Sequence, residues 1–179
     1  MKHITANGID FAILEEGAGP LILFLHGFPD NAHSWSYQLP TLAKQGYRCV
    51  APFLKGYAPT THPQPTHFDK AALVADIAAL VSKLSPDEPC FLVGQDWGAI
   101  IGYSLLAAYP ELFIRAVLMA VPHPTETAKS MLIPKHIHRS FHWWFFQLNE
   151  SNFSRLLRNH FIGASFRWRF CFYQETHHS

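Results

Sequence analysis

Two short stretches of this 179-residue sequence carry side chains fit for chemistry, and each stands where an apolar run ends. The first is Leu25-His26-Gly27-Phe28-Pro29-Asp30. The second is Val93-Gly94-Gln95-Asp96-Trp97-Gly98, with Gly102 one turn further on. An acid between two glycines, after a strand and before a helix, fits a nucleophile elbow. Such a turn is too tight for bulky neighbours and leaves its central side chain projecting over the sheet. The dipole of the following helix favours an anion there, which suits the Asp96 carboxylate. The Trp97 N–H faces a developing oxyanion, and the Phe28 N–H in the earlier loop supplies a second donor. Gly-x-Asp-x-Gly alone also describes ordinary turns, in which Asp96 would be a plain helix N-cap. The strand before it, the helix after it and the His-Gly-Phe-Pro at a second strand end favour the nucleophile.

The elements that must position these motifs follow from periodicity and punctuation. A strand over 9–15 follows the Asn7-Gly8 turn signal, and Leu21-Ile22-Leu23-Phe24-Leu25 follows the breaker Gly17-Ala18-Gly19-Pro20. That unbroken apolar run suits a strand covered on both faces. Spaced apolar residues predict helices over 34–45, 68–84 and 97–108, stopped by Gly46, Ser85-Pro86 and Pro110. Further strands are expected over 47–51, 90–93 and 114–121, with a Pro-, Gly- and Thr-rich loop over 52–67. Strands alternating with helices indicate a parallel α/β sheet, and chemistry then sits at the carboxyl ends of the strands.

So placed, the motifs resemble those of the α/β-hydrolase superfamily, on its epoxide hydrolase and haloalkane dehalogenase branch. The resemblance runs over roughly residues 5–150. It rests on His26-Gly27-Phe28-Pro29, on Lys55-Gly56-Tyr57 after the Pro52 loop, and on Gly94-Gln95-Asp96-Trp97-Gly98-Ala99. Aspartate at the elbow separates this branch from lipases and esterases, which place serine there. It implies an α/β-hydrolase fold: a mostly parallel sheet flanked by helices, with about six of eight strands over 1–122. A partial helical lid is expected over 123–179, with an atypical tail from about 152. It also implies a two-step displacement with no cofactor and no metal. Asp96 attacks an electrophilic carbon to form an alkyl ester, and a water activated by a histidine then attacks the ester carbonyl between the Phe28 and Trp97 N–H donors. His26, Gly27 and Pro29 complete the binding loop, with His26 orienting it.

The implied substrate is a small apolar electrophile, an epoxide or an alkyl halide. Epoxide hydrolases bring two lid tyrosines to the epoxide oxygen; ahead of Phe146-Gln147 this chain has His142-Trp143-Trp144 instead. His142 can donate a proton, and His142 and Trp143 resemble the halide-side pair of some fluoroacetate dehalogenases. Trp97, beside the nucleophile, suits a departing halide. No arginines follow the nucleophile to hold a carboxylate, so a haloacid is not expected. The aromatic run 143–146 is either lid packing or pocket lining.

The catalytic acid and the histidine base have no candidate here. Leu118-Met119-Ala120-Val121-Pro122 contains no carboxylate, and the resemblance puts the later acid, two strands and the histidine beyond Ser179. The chain is therefore expected to be C-terminally truncated and to be inactive or to stall at the ester. A non-catalytic hydrolase-fold binding protein is the alternative. His123 reads as a loop residue, and His136, His138 and His142 lack the acidic or thiol partner a metal set needs.

Composition agrees with that class. A net charge of +1 with 15% charged residues argues against a nucleic-acid binder, and no apolar run approaches the ~20 residues that span a bilayer. The sum hides an asymmetry. Residues 1–134 carry 8 Lys and Arg against 11 Asp and Glu, whereas 135–179 carry 6 against 2, with 12 of the 26 aromatics. The basic, aromatic end is read as a lid in preference to a membrane-surface segment. Cys49, Cys90 and Cys171 are odd in number and scattered, as in reduced cytoplasmic proteins. A sheet ending at the strand over 114–121 exposes an apolar edge, and self-association through it is expected.

Overall fold

The computed structural model describes residues 1–64, 67–130 and 133. The chain divides into two units, Met1–Ala128 and Lys129–Ser179. The strands and the site-bearing helices belong to the first. Most of the expected lid, with His142 and Trp143, lies outside the described residues, as does Cys171.

The chain opens as a hairpin of β1 (Lys2–Ala6) and β2 (Ile9–Glu16). Asn7 and Gly8, with φ of 49° and 76°, make the left-handed two-residue turn that matches strand twist. The sequence pattern does not mark β1; its residues are mostly exposed, and its pairing with β2 decides it. The sheet continues through β3 (Leu21–Leu25), β4 (Arg48–Pro52), β5 (Cys90–Gln95) and β6 (Phe113–Met119), in the order β1-β2-β4-β3-β5-β6. β2 meets β4 antiparallel; β4, β3, β5 and β6 run parallel. Every residue of β3 is buried, because both faces are covered. Leu23 and Leu25 enter the core under α2 (Lys70–Leu84) and α3 (Trp97–Ala108), with Ile77, Leu80, Ile101 and Leu105. Ile22 and Phe24 enter the opposite layer with Trp35 and Leu39.

The expected helix over 34–45 is in fact two pieces, a 3-10 turn at Ala32–Trp35 and α1 (Gln38–Ala43). Pro40 explains the break: it has no N–H for the Ser36 carbonyl, and its ring clashes with that group in a continuous helix. Restarting at Gln38 puts Pro40 in the first turn, where no N–H is needed. β6 ends earlier than expected, where Ala120 turns left-handed at φ 67°. A short α4 (Pro124–Ser130), at the start of the span expected to form a helical lid, follows. Among the described residues β6 closes the strand order, with Ile114, Val117 and Met119 exposed. No helix of the described residues is long and apolar enough to cross a membrane.

Candidate active site

Register brings the two motifs together. In the parallel pairing of β3 with β5, Leu25 lies opposite Gly94, so the chain leaves both strands at the same height. His26-Gly27-Phe28 then runs beside Gln95-Asp96-Trp97. The approach is close enough to exclude side chains. A Cβ on Gly27 would fall 2.6 Å from Asp96 Oδ1 and 2.8 Å from the Gln95 carbonyl oxygen. One on Gly98 would fall 2.6 Å from the Leu25 carbonyl carbon, and Gly94 is closed off in the same way by the Gly98 carbonyl. Gly102 differs: its near neighbour is the flexible tip of Leu118, so it serves the packing of β6 on α3.

Asp96 itself stands at φ 52°, ψ −115°, a conformation that costs an ordinary residue ~1–3 kcal/mol and persists only where the surroundings enforce it. Its carbonyl accepts the N–H groups of Ala99 (2.9 Å) and Ile100 (3.0 Å), which starts α3. Its N–H donates to the Met119 carbonyl at 3.2 Å, fastening the elbow to the end of β6. The side chain makes no capping bond to α3. Oδ1 instead accepts the Phe28 N–H at 2.9 Å, across 68 residues of sequence. Trp97 is the first residue of α3, so its N–H has no intrahelical acceptor. The plain N-cap role for the Asp96 side chain is thereby excluded.

His26 is fully buried. The Leu54 N–H donates to its Nε2 at 3.0 Å, so the proton sits on Nδ1, which donates to the Gly27 carbonyl at 3.1 Å. Burial pushes its pKa below the ordinary histidine value, outweighing the Gly27 bond and the Asp30 carboxylate. With both ring nitrogens taken by backbone, His26 positions the loop and does not line a ligand surface. Pro29 is exposed, as are Phe28 at 39% and Trp97 at 47%. His142 and Trp143 lie outside the described residues.

Tyr57 is a member of this neighbourhood to which the sequence pattern assigns no role. Its ring meets the His26 ring edge-on, centroids 4.6 Å apart. Burial, and then the Asp96 and Asp30 carboxylates, raise the pKa of its hydroxyl. The signal was present in Lys55-Gly56-Tyr57, but nothing in the spacing told where the tyrosine points. In the same connection, Lys55 Nζ pairs with Asp76 Oδ2 at 2.9 Å, and Thr60 Oγ1 accepts the Ala12 N–H at 3.0 Å while donating to the Phe53 carbonyl at 2.7 Å. Among the described residues no group of three or more His, Cys, Asp or Glu is arranged to hold a metal ion.

Residues 20–170 match the family described as alpha/beta hydrolase fold. The chain belongs to that family. Its relatives place it on the epoxide hydrolase-like branch. It is 40% identical over 124 residues to epoxide hydrolase 3 of Siraitia grosvenorii, covering 68% of this chain and 39% of that one. It is 34% identical over 150 residues to human epoxide hydrolase 4, covering 82% and 41%. The crystal structure of an epoxide hydrolase from Vigna radiata superposes with a TM-score of 0.65 at 38% identity, covering 74% of this chain and 46% of that one. The chain thus spans about two fifths of the length of the curated relatives it matches. This α/β hydrolase carries, in that shared part, both strand-end motifs and the contact between them.

Proposed function

We propose that Asp96 is the nucleophile of an epoxide hydrolase-type reaction. The reading is carried by one contact, the Phe28 N–H on Asp96 Oδ1 at 2.9 Å. A donor held on Oδ1 leaves Oδ2 to attack. The new Oδ2–C bond forms as the ring C–O bond breaks, and the ring oxygen leaves as an alkoxide that takes up a proton. His142 is the candidate proton donor from the sequence. Oδ1 then becomes the ester carbonyl oxygen, already on the donor that stabilises its oxyanion when water attacks, with the Trp97 N–H as the second donor. Phe28 and Pro29 follow Gly27 in the loop that meets Asp96, Trp97 is its neighbour in sequence, and all but Gly27 are exposed, which suits a small apolar electrophile.

Ester formation draws on Asp96 and these donors; release needs a base to activate water. These 179 residues by themselves are therefore expected to accumulate the ester. Incubation of the chain with styrene oxide, followed by intact and peptide mass spectrometry, tests this. A mass gain of one epoxide on the peptide bearing Asp96, absent from Asp96→Asn, is the expected result. Equal labelling of Asp96→Asn, or binding without any adduct, overturns it, and the latter favours a non-catalytic binding protein. The exposed Trp97 indole beside Asp96 supports a second reading, alkyl-halide cleavage. Halide release from a bromoalkane with no reaction of epoxides would favour it.

A further inference from the structure

The loop after β4 is anchored by an ion pair that is a poor choice for stability alone. Lys55 Nζ and Asp76 Oδ2 are 2.9 Å apart with side chains only 5% and 4% exposed. Asp76 Oδ1 also accepts Asn7 Nδ2 at 2.7 Å, and Lys55 Nζ lies 5.6 Å from the centre of the Phe68 ring. Stripping two charges of water costs about as much as their attraction returns, so an apolar pair of similar volume holds a core equally well. What an apolar pair lacks is direction. Lys55 directly follows Leu54, whose N–H holds His26 Nε2 at 3.0 Å. His26 Nδ1–H in turn holds the Gly27 carbonyl at 3.1 Å. That carbonyl and the Phe28 N–H belong to one planar peptide group, so fixing the first aims the second. The Phe28 N–H meets Asp96 Oδ1 at 2.9 Å.

We infer that the Lys55–Asp76 pair is a positioning device for the Phe28 N–H, acting through Leu54 and His26 on the Gly27–Phe28 peptide. It rests on the reading of Asp96 as nucleophile and adds to it two residues that touch no substrate. The geometry explains why the pair is ionic: a lysine joined to a helix carboxylate holds the loop at one height and in one orientation, which greasy contact does not.

The test is the double variant Lys55→Met/Asp76→Leu in the full chain, which removes both charges and leaves no unpaired one. Its thermal midpoint is expected to equal or exceed that of the parent. Amide hydrogen exchange at Leu54 and Phe28 is expected to quicken, and labelling by styrene oxide to slow about tenfold, since an ångström of misplacement can cost ~10²-fold in rate. Unchanged labelling with both amides equally protected overturns the inference, as does slower labelling that only tracks a smaller folded fraction. Should the double variant not fold, Asp76→Asn keeps the shape but leaves Lys55 without its counter-charge, so its thermal midpoint is expected to fall and the comparison is made on exchange and labelling per folded molecule. If the parent itself takes no label, the nucleophile reading falls. Exchange at Phe28 still decides the positioning claim: faster in the variant supports it, unchanged overturns it.

Discussion

Two connections leave the same rim of the sheet and are held in opposite ways. From β5 to α3 the chain turns within a single residue, Asp96, and the turn is held by backbone against backbone. From β4 to α2 it travels from Pro52 to Lys70, and side chains hold it: the Lys55–Asp76 pair, the Thr60 hydroxyl and the His26 ring. A short connection has no slack, so removing Cβ atoms is enough to define it. A long one has conformational freedom to lose, and polar bonds of fixed direction remove it. The short connection carries the carboxylate proposed as the nucleophile; the long one carries the side chains inferred to aim a donor at it.

Substitutions on each side should therefore fail differently. Lys55→Met alone strands the Asp76 carboxylate in the core and is expected to cost about 3–5 kcal/mol in urea unfolding. A loss below about 1 kcal/mol would mean that water reaches the pair and that the long connection is not held by it. Gly98→Ala forces a methyl against the Leu25 and His26 backbone and should cost about 3 kcal/mol, with loss of Asp96 labelling. Thr60→Val keeps the shape but leaves the Ala12 N–H without its acceptor, at about 1–3 kcal/mol. Gly102→Ala, one turn beyond Gly98 on the same helix, displaces only the Leu118 tip and gains helix propensity. Its net effect should stay within about 1 kcal/mol. If the two glycine variants behave alike, backbone closure at the elbow is not what distinguishes that connection.

Acid offers a further probe of the long connection. The folded state holds His26 neutral with a pKa below the ordinary 6.5, so the unfolded chain binds more protons in the window between the two values. Its contribution to stability is complete above pH 6.5 and is lost as pH falls through the folded value. Urea midpoints measured downward from pH 7.5 should fall with that onset, and His26→Gln should flatten the fall. An identical pH profile for His26→Gln would assign the acid sensitivity to other groups.

Much of the fold was readable because it is written locally. Asn7-Gly8 specifies its turn by what left-handed backbone tolerates, and Leu21–Leu25 announces a strand buried on both faces. The Asp96 elbow was legible for the same reason: glycine, acid and glycine between strand and helix form a pattern spanning a few residues. The break at Pro40 was also written in the sequence, yet apolar spacing alone ran the helix across it. β1 carries no such local mark, because its residues are mostly exposed and only pairing defines it.

Sequence by itself determined which candidate residues stand at the strand ends and which elements carry them, since propensity, periodicity and steric tolerance act between near neighbours. Tertiary structure decided what those residues face. The partnership of Phe28 with Asp96, of Leu54 with His26 and of Lys55 with Asp76 joins positions 68, 28 and 21 residues apart. Periodicity tells which face of an element is buried and is silent about its partner. Only the register of β3 on β5, with Leu25 opposite Gly94, puts a backbone N–H within hydrogen-bonding distance of the carboxylate at the elbow.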